Sequence, residues 1–119
     1  MKPGDIYQID FDPSLGHEIK KRRPALVISD EKYNLRTNMP VVLPITSKGG
    51  FSQEAGLVVD LGGFGLKTYG AVLCCRPMSF DFGARNAKYE ESVSSALLER
   101  ILLKTATILF PSLLTWSFE

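Results

Sequence analysis

Only two cysteines occur in the 119 residues, and they are neighbours, Cys74 and Cys75. Their Cα atoms lie about 3.8 Å apart across one peptide bond. They close no loop, so no disulfide framework is expected and the chain suits a reducing compartment. With no second cysteine pair and a single, distant histidine, His17, the ligand spacing of a zinc site is missing. No metal or other cofactor is expected. Long apolar runs are absent too. The greasiest stretches are strand-sized or broken by Lys104 and Pro111, well short of the ~20 residues that span a bilayer. Met1-Lys2-Pro3-Gly4-Asp5 is a charged opening with no apolar run of signal-peptide length behind it. The expectation is a soluble, cytoplasmic protein with no membrane partner. An excess of one charge is also lacking: 14 Lys plus Arg stand against 13 Asp plus Glu, a net charge of +1. Bulk electrostatics therefore make no case for nucleic-acid binding, and only local clustering can.

What is present is the composition of a packed domain, 45% hydrophobic and 23% charged. A chain of this length buries roughly two-thirds of its extended surface on folding. Neither a solenoid repeat nor a low-complexity linker appears, so residues 1–110 read as one module and 111–119 as an apolar tail. Five strands are predicted: Ile6–Phe11, Ala25–Ser29, Val41–Thr46, Leu57–Leu61 and Tyr69–Cys75. The last two are joined by the glycine-rich turn Gly62-Gly63-Phe64-Gly65 and read as a hairpin. Pro44 marks the third as an edge strand or a bulge. Ser94 or Ser95 then caps one helix, with Leu97, Leu98, Ile101, Leu102, Thr105, Ile108 and Leu109 on one stripe, and Pro111 ends it. Five strands followed by one long helix predict an α+β domain built on a curved antiparallel sheet or small barrel. The tail, with Leu113, Leu114, Trp116 and Phe118, either folds back on the core or covers an exposed surface of this or a neighbouring subunit.

The densest charge run, His17-Glu18-Ile19-Lys20-Lys21-Arg22-Arg23, lies between the Asp12-Pro13 stop and the Ala25 strand. Four consecutive cations on a loop concentrate positive potential where a phosphate backbone is readily held, although such a run also reads as a solvated turn. Arg23 stands apart, because Pro24 fixes the chain's entry into an apolar strand and anchors it. His17 titrates near neutrality and Glu18 beside it offers a carboxylate, so either is a candidate proton acceptor or simply a surface group. Thr46, Ser47 and Lys48 end a strand before Gly49-Gly50, an arrangement that suits an oxyanion and equally a plain turn. The Gly62–Gly65 run lacks the strand–loop–helix context of a nucleotide-binding loop. If strand alternation holds, one of Cys74 and Cys75 faces the core and the other outward.

Taken in order, these blocks resemble a known family. Gly4-Asp5-Ile6-Tyr7-Gln8-Ile9-Asp10-Phe11-Asp12-Pro13, Gly16-His17-Glu18 and Arg23-Pro24-Ala25-Leu26-Val27-Ile28-Ser29 resemble the opening of the MazF/PemK/Kid toxins of bacterial toxin–antitoxin pairs. Pro44-Ile45-Thr46-Ser47, Gly49-Gly50-Phe51 and Ala55-Gly56 resemble the second block, and Gly70 through Asp81 with Ala84-Arg85 the third. The resemblance implies an SH3-like barrel with a C-terminal helix, shared with the CcdB toxins, and a homodimer. It implies a sequence-selective, metal-independent endoribonuclease, an mRNA interferase that cuts single-stranded RNA through 2′-hydroxyl attack and arrests translation and growth. A cognate antitoxin is the implied protein partner, and operator DNA is reached only through the antitoxin complex.

Carried over residue by residue, Arg23, Thr46, Glu18 and His17 fall at the catalytic positions. Lys20, Lys21, Arg22, Ser47, Lys48, Phe51, Arg76, Phe80, Asp81 and Arg85 are the RNA-binding candidates, with Phe51 or Phe80 expected to stack on a splayed base. The third block departs from the pattern. Where the Kid-like branch has Arg-Cys-Asp-Gln-Pro, this chain has Leu73-Cys74-Cys75-Arg76-Pro77, so that branch's arginine and aspartate are missing. The alternatives are a CcdB-like gyrase poison, or a catalytically weak antitoxin-binding module.

Overall fold

The structure, a computed structural model, describes residues 1–12, 21–47 and 56–116. Among the described residues, seven strands and three helices follow in the order β1 (Asp5–Asp10), β2 (Arg22–Val27), α1 (Glu31–Thr37), β3 (Val41–Thr46), β4 (Val58–Asp60), β5 (Ala71–Leu73), β6 (Met78–Ser79), β7 (Lys88–Ser92), α2 (Ser95–Leu109) and α3 (Pro111–Trp116). The sheet is antiparallel with strand order β4-β5-β3-β2-β1-β7, and β6 pairs with the outer half of β3. This is the α+β class that the sequence predicts: a curved antiparallel sheet followed by a long helix.

Strand alternation divides the core between two faces. Ile6, Leu26, Leu43, Ile45, Val72 and Cys74 gather on one face with Leu97 and Ile101 of α2. Ile9, Phe11, Ala25, Val27, Val42 and Leu73 gather on the other with Phe80 and Phe82. Burying apolar side chains on both faces explains why β2 reads Ala-Leu-Val without polar interruption. Helix α2 starts as expected, with the Ser94 hydroxyl accepting from the Leu97 N–H at 3.2 Å. Cys74 is buried and Cys75 half-buried, the in-and-out pair expected from alternation.

Several features differ from the sequence reading. Strand β2 begins at Arg22, so the last two cations of the charge run expected on a loop are strand residues, and the short strand β6 is unpredicted. Strand β3 is not an edge: it lies between β2 on one side and β5 and β6 on the other. Pro44 is tolerated there because β6 pairs with Val41 and Val42, and β5 only with Ile45 and Thr46. The missing N–H thus points into the gap between those two partners. Helix α1, unpredicted, is fixed by two caps: the Asp30 side chain accepts from the Lys32 N–H, and Asn38 closes it in the left-handed conformation. Strand β7, also unpredicted, pairs with β1. Finally, Pro111 does more than stop α2, for it opens α3, where proline's fixed φ suits the first turn. Helix α3 follows α2 directly, and its side chains from Pro111 to Leu113 are exposed, Leu113 at 59%.

Candidate active site

The site begins where the β2–β3 ladder fails. The two strands pair at Val27↔Val42, Leu26↔Leu43 and Ala25↔Pro44, and the next pair in register is Pro24 with Ile45. The Ile28 N–H donates to the Val41 carbonyl at 2.9 Å. Antiparallel alternation then makes Leu26 and Pro24 the next residues that donate to β3. Pro24 has no N–H to give, so the strands part. A cleft of about 310 Å³ opens there, lined by Arg22, Arg23 and Pro24 on one side and by Ile45 and Ser47 on the other. Gln8 of β1, Glu90 of β7 and the Lys67-Thr68-Tyr69 segment of the β4–β5 loop complete it.

Arg23 pairs with Ile9 of β1, is half-buried, and is among the residues that line the cleft. Arg22 is more exposed. It donates to Asp10 Oδ1 at 2.9 Å and to the Asn86 carbonyl at 2.8 Å. Hydrogen bonds from Asn86 and Arg22 hold the Asp10 carboxyl below its usual range.

The far wall is fixed by Glu91 of β7. Its Oε1 accepts from the Lys67 N–H at 3.1 Å, and its Oε2 accepts from the Thr68 N–H at 2.6 Å and the Thr68 hydroxyl at 2.7 Å. Partial burial opposes the charge, but these bonds outweigh it and hold the Glu91 carboxyl below its usual value. Behind the wall, Gly70 has φ +121°, and a Cβ placed on it would lie 2.3 Å from the Thr46 carbonyl oxygen. Glycine is the residue that lets the loop come this close to β3. Gly70→Ala is expected to destabilise the fold by about 2–4 kcal/mol, from the left-handed φ and the clash together. Urea unfolding with an unchanged m value checks it.

Of the residues singled out in the sequence, Arg22, Arg23 and Ser47 meet in this cleft. Thr46 lies between Ile45 and Ser47 but is itself 4% exposed, so the hydroxyl that lines the cleft on β3's side is that of Ser47. Lys21 is exposed just before Arg22, with its carbonyl accepting from the Phe11 N–H. His17, Glu18, Lys20, Lys48 and Phe51 lie outside the described residues.

The third-block residues do not line the cleft. Phe80 is a core side chain, edge-on to Phe11 at 5.0 Å, with the Arg85 guanidinium 4.9 Å from its ring centroid. The ring expected to stack on a base is therefore occupied by its own fold. Arg85 also donates to the Asp12 carbonyl at 2.6 Å. Asp81 accepts from the Ala84 N–H at 3.1 Å, and together they fasten the β6–β7 connection to the end of β1. Arg76 follows β5, half-buried, its N–H donating to the Leu73 carbonyl.

Conversely, Gln8, Lys67, Thr68, Tyr69 and Glu90 are cleft residues that local sequence did not flag. Tyr69 is 76% exposed and offers an open aromatic face. Two arginines, one lysine and the hydroxyls of Ser47 and Tyr69 beside Glu90 make a site suited to a phosphodiester, whose oxygens take charge-assisted hydrogen bonds. Among the described residues, no three His, Cys, Asp or Glu side chains gather as a metal site, and no helix is long and apolar enough to cross a membrane.

A curved antiparallel sheet with a C-terminal helix, and a cleft lined by arginine and lysine where two of its strands part, defines the class of this molecule. Residues 2–109 match the model of the PemK-like, MazF-like toxins of type II toxin–antitoxin systems. Endoribonuclease PemK of Escherichia coli is 38% identical over 109 residues, covering 92% of this chain and 82% of that one. Crystal-form I MazF of Deinococcus radiodurans superposes with a TM-score of 0.81 at 29% identity, covering 92% and 96%. MazF in a MazE–MazF complex from the same organism gives 0.77 at 28%, covering 92% and 95%. The chain belongs to the PemK-like, MazF-like toxin family.

Proposed function

We propose that this protein is the toxin of a type II toxin–antitoxin pair, an endoribonuclease that cuts single-stranded RNA, messenger RNA included, and so arrests translation and growth. The observation that carries this reading is the meeting of Arg22, Arg23 and Ser47 in one cleft where Pro24 breaks the sheet. The names of PemK and MazF relatives as endoribonucleases support it. The MazE–MazF complex supports an antitoxin as protein partner. Assembly as a homodimer belongs to the same reading.

Cleavage without a metal needs four things: a 2′-hydroxyl placed in line with phosphorus, a base for its proton, cations for the crowded phosphorane, and an acid for the leaving 5′-oxygen. Arg23, always charged and fork-shaped, neutralises the phosphorane and stands nearest the donor role for the leaving group. Ser47 holds a phosphate oxygen, with Thr46 setting the end of β3 behind it. His17 or Glu18 takes the 2′-hydroxyl proton, and Glu90 adds a carboxylate within the cleft itself. Arg22, Lys20, Lys21 and Lys67 bind flanking phosphates, while Tyr69 is the stacking surface for a splayed base.

Long single-stranded RNA incubated with the protein in excess chelator is expected to give discrete fragments. Their ends are a 2′,3′-cyclic phosphate and a 5′-hydroxyl. A substrate with one deoxyribose at the cut site is expected to stay intact. Undiminished cutting of that substrate, or a strict need for magnesium, overturns the mechanism; no cutting of any RNA overturns the function.

A further inference from the structure

We infer that Glu91 is a positioning residue for RNA in the cleft: it clasps Thr68 of the β4–β5 loop to β7 and so builds the wall that presents Lys67 and Tyr69 to the substrate. This rests on the RNA-cleaving reading above. The topology creates the need for a clasp. Strands β4 and β5 stand at one end of the strand order and β7 at the other, so the sheet's own ladder does not join them. The loop between β4 and β5 closes on itself through the Leu61 N–H donating to the Gly70 carbonyl at 2.9 Å. That bond fixes its base, not its direction. Glu91 supplies the direction, with two carboxylate oxygens gathering three donors from two consecutive residues. Two adjacent N–H groups and a hydroxyl match a carboxylate, which accepts at both oxygens and donates nothing.

A register slip makes the clasp possible. Strand β7 pairs Glu91 with Ile6 and Tyr89 with Tyr7, leaving Glu90 as an extra residue in a bulge. On a regular strand two successive side chains point to opposite faces. The bulge re-aims one of them, so that Glu90 lines the cleft while its neighbour Glu91 grips the wall of the same cleft. Loss of the clasp leaves Arg23 and Ser47 in place, because β2 and β3 hold them. It removes the ordered wall that contributes to substrate binding.

Steady-state cleavage of one short RNA by the full chain tests this with three variants, each checked for folding by its melting transition. Glu91→Ala is expected to raise KM about tenfold with kcat near the parent's, the pattern of lost uniform binding. Glu91→Gln keeps one acceptor but turns an NH₂ towards a donor, and falls between Ala and parent. Thr68→Val removes a single bond of the clasp and raises KM about two- to threefold. Combined with Glu91→Ala it adds nothing further, because both act on one clasp. Faster exchange of the Lys67 and Thr68 amides in Glu91→Ala is the matching structural signature.

A folded Glu91→Ala protein with the parent's KM overturns the inference, as does full additivity with Thr68→Val. If Glu91→Ala does not fold, unchanged KM values in both Glu91→Gln and Thr68→Val overturn it. In each of these cases the parent still cuts RNA and the functional reading stands. A parent that cuts no RNA overturns that reading, and this inference with it.

Discussion

Arg23→Ala is expected to lower the cleavage rate at saturating RNA by about 10²–10³, the scale of removing one transition-state donor. Arg23 is the cation whose backbone is fixed on two counts, by pairing with Ile9 and by the ring of Pro24. A guanidinium so held is already placed when charge builds on the phosphorane, so its loss falls on kcat more than on KM. The neighbouring cations give the contrast. Arg22 divides its donors between Asp10 and the Asn86 carbonyl, and Lys20 comes from the charged run before β2. Their alanine variants are expected to weaken binding and flatten its dependence on salt, as lost phosphate contacts do. Single-turnover rates at saturating RNA, set beside binding measured across a salt series, separate the two signatures. An Arg23→Ala protein that cuts like the parent at saturation places the catalytic centre elsewhere.

Much of this arrangement was legible because it is local. Arg22-Arg23-Pro24 advertises a cation anchored at a strand entry, and Thr46-Ser47 a strand end with hydroxyls; the structure puts both segments at the broken ladder. The apolar runs of β1, β2 and β3 announced themselves through their composition, and Ser94 with the Leu97–Leu109 stripe announced α2. What stayed hidden depends on partners far along the chain. Strand β7, Lys-Tyr-Glu-Glu-Ser, has no apolar alternation, because it is an edge strand held by β1 and turned by a bulge. Its two glutamates read as surface charge until the bulge brings one into the cleft and sets the other on the loop 23 and 24 residues before it. Tyr69 falls in a predicted strand, but β5 begins only at Ala71, after Gly70 with its positive φ, and Tyr69 stays in the exposed loop before it. Phe80 misled in the opposite sense. An aromatic residue beside family-like charges reads as a stacking platform, yet its ring packs in the core against Phe11 with Arg85 over its face.

Restoring the Kid-like pair by Leu73→Arg with Cys75→Asp is expected to unfold the protein rather than to quicken it. Leu73 is 0% exposed, pairs with Val58, and packs in the cluster of Ile9, Phe11, Val27 and Val42. An arginine there exchanges apolar contacts for a charge among hydrocarbon side chains, a loss of about 3–5 kcal/mol. In a domain of this size that lowers the melting temperature by about 10–25 °C. Cys75 is only half-buried, so Cys75→Asp alone is expected to fold, with a smaller shift. Melting curves of the two single variants and the double, beside their RNA cleavage, decide the matter. A double variant that melts like the parent and cuts faster would mean that β5 can turn residue 73 out of the core, and that the missing pair assists catalysis in this chain as well. A collapse confined to the variants carrying Leu73→Arg, with Cys75→Asp folded and no faster than the parent, would mean that Leu73 serves the core here. Charge stabilisation in this chain then falls to the cations that already line the cleft, Arg22, Arg23 and Lys67.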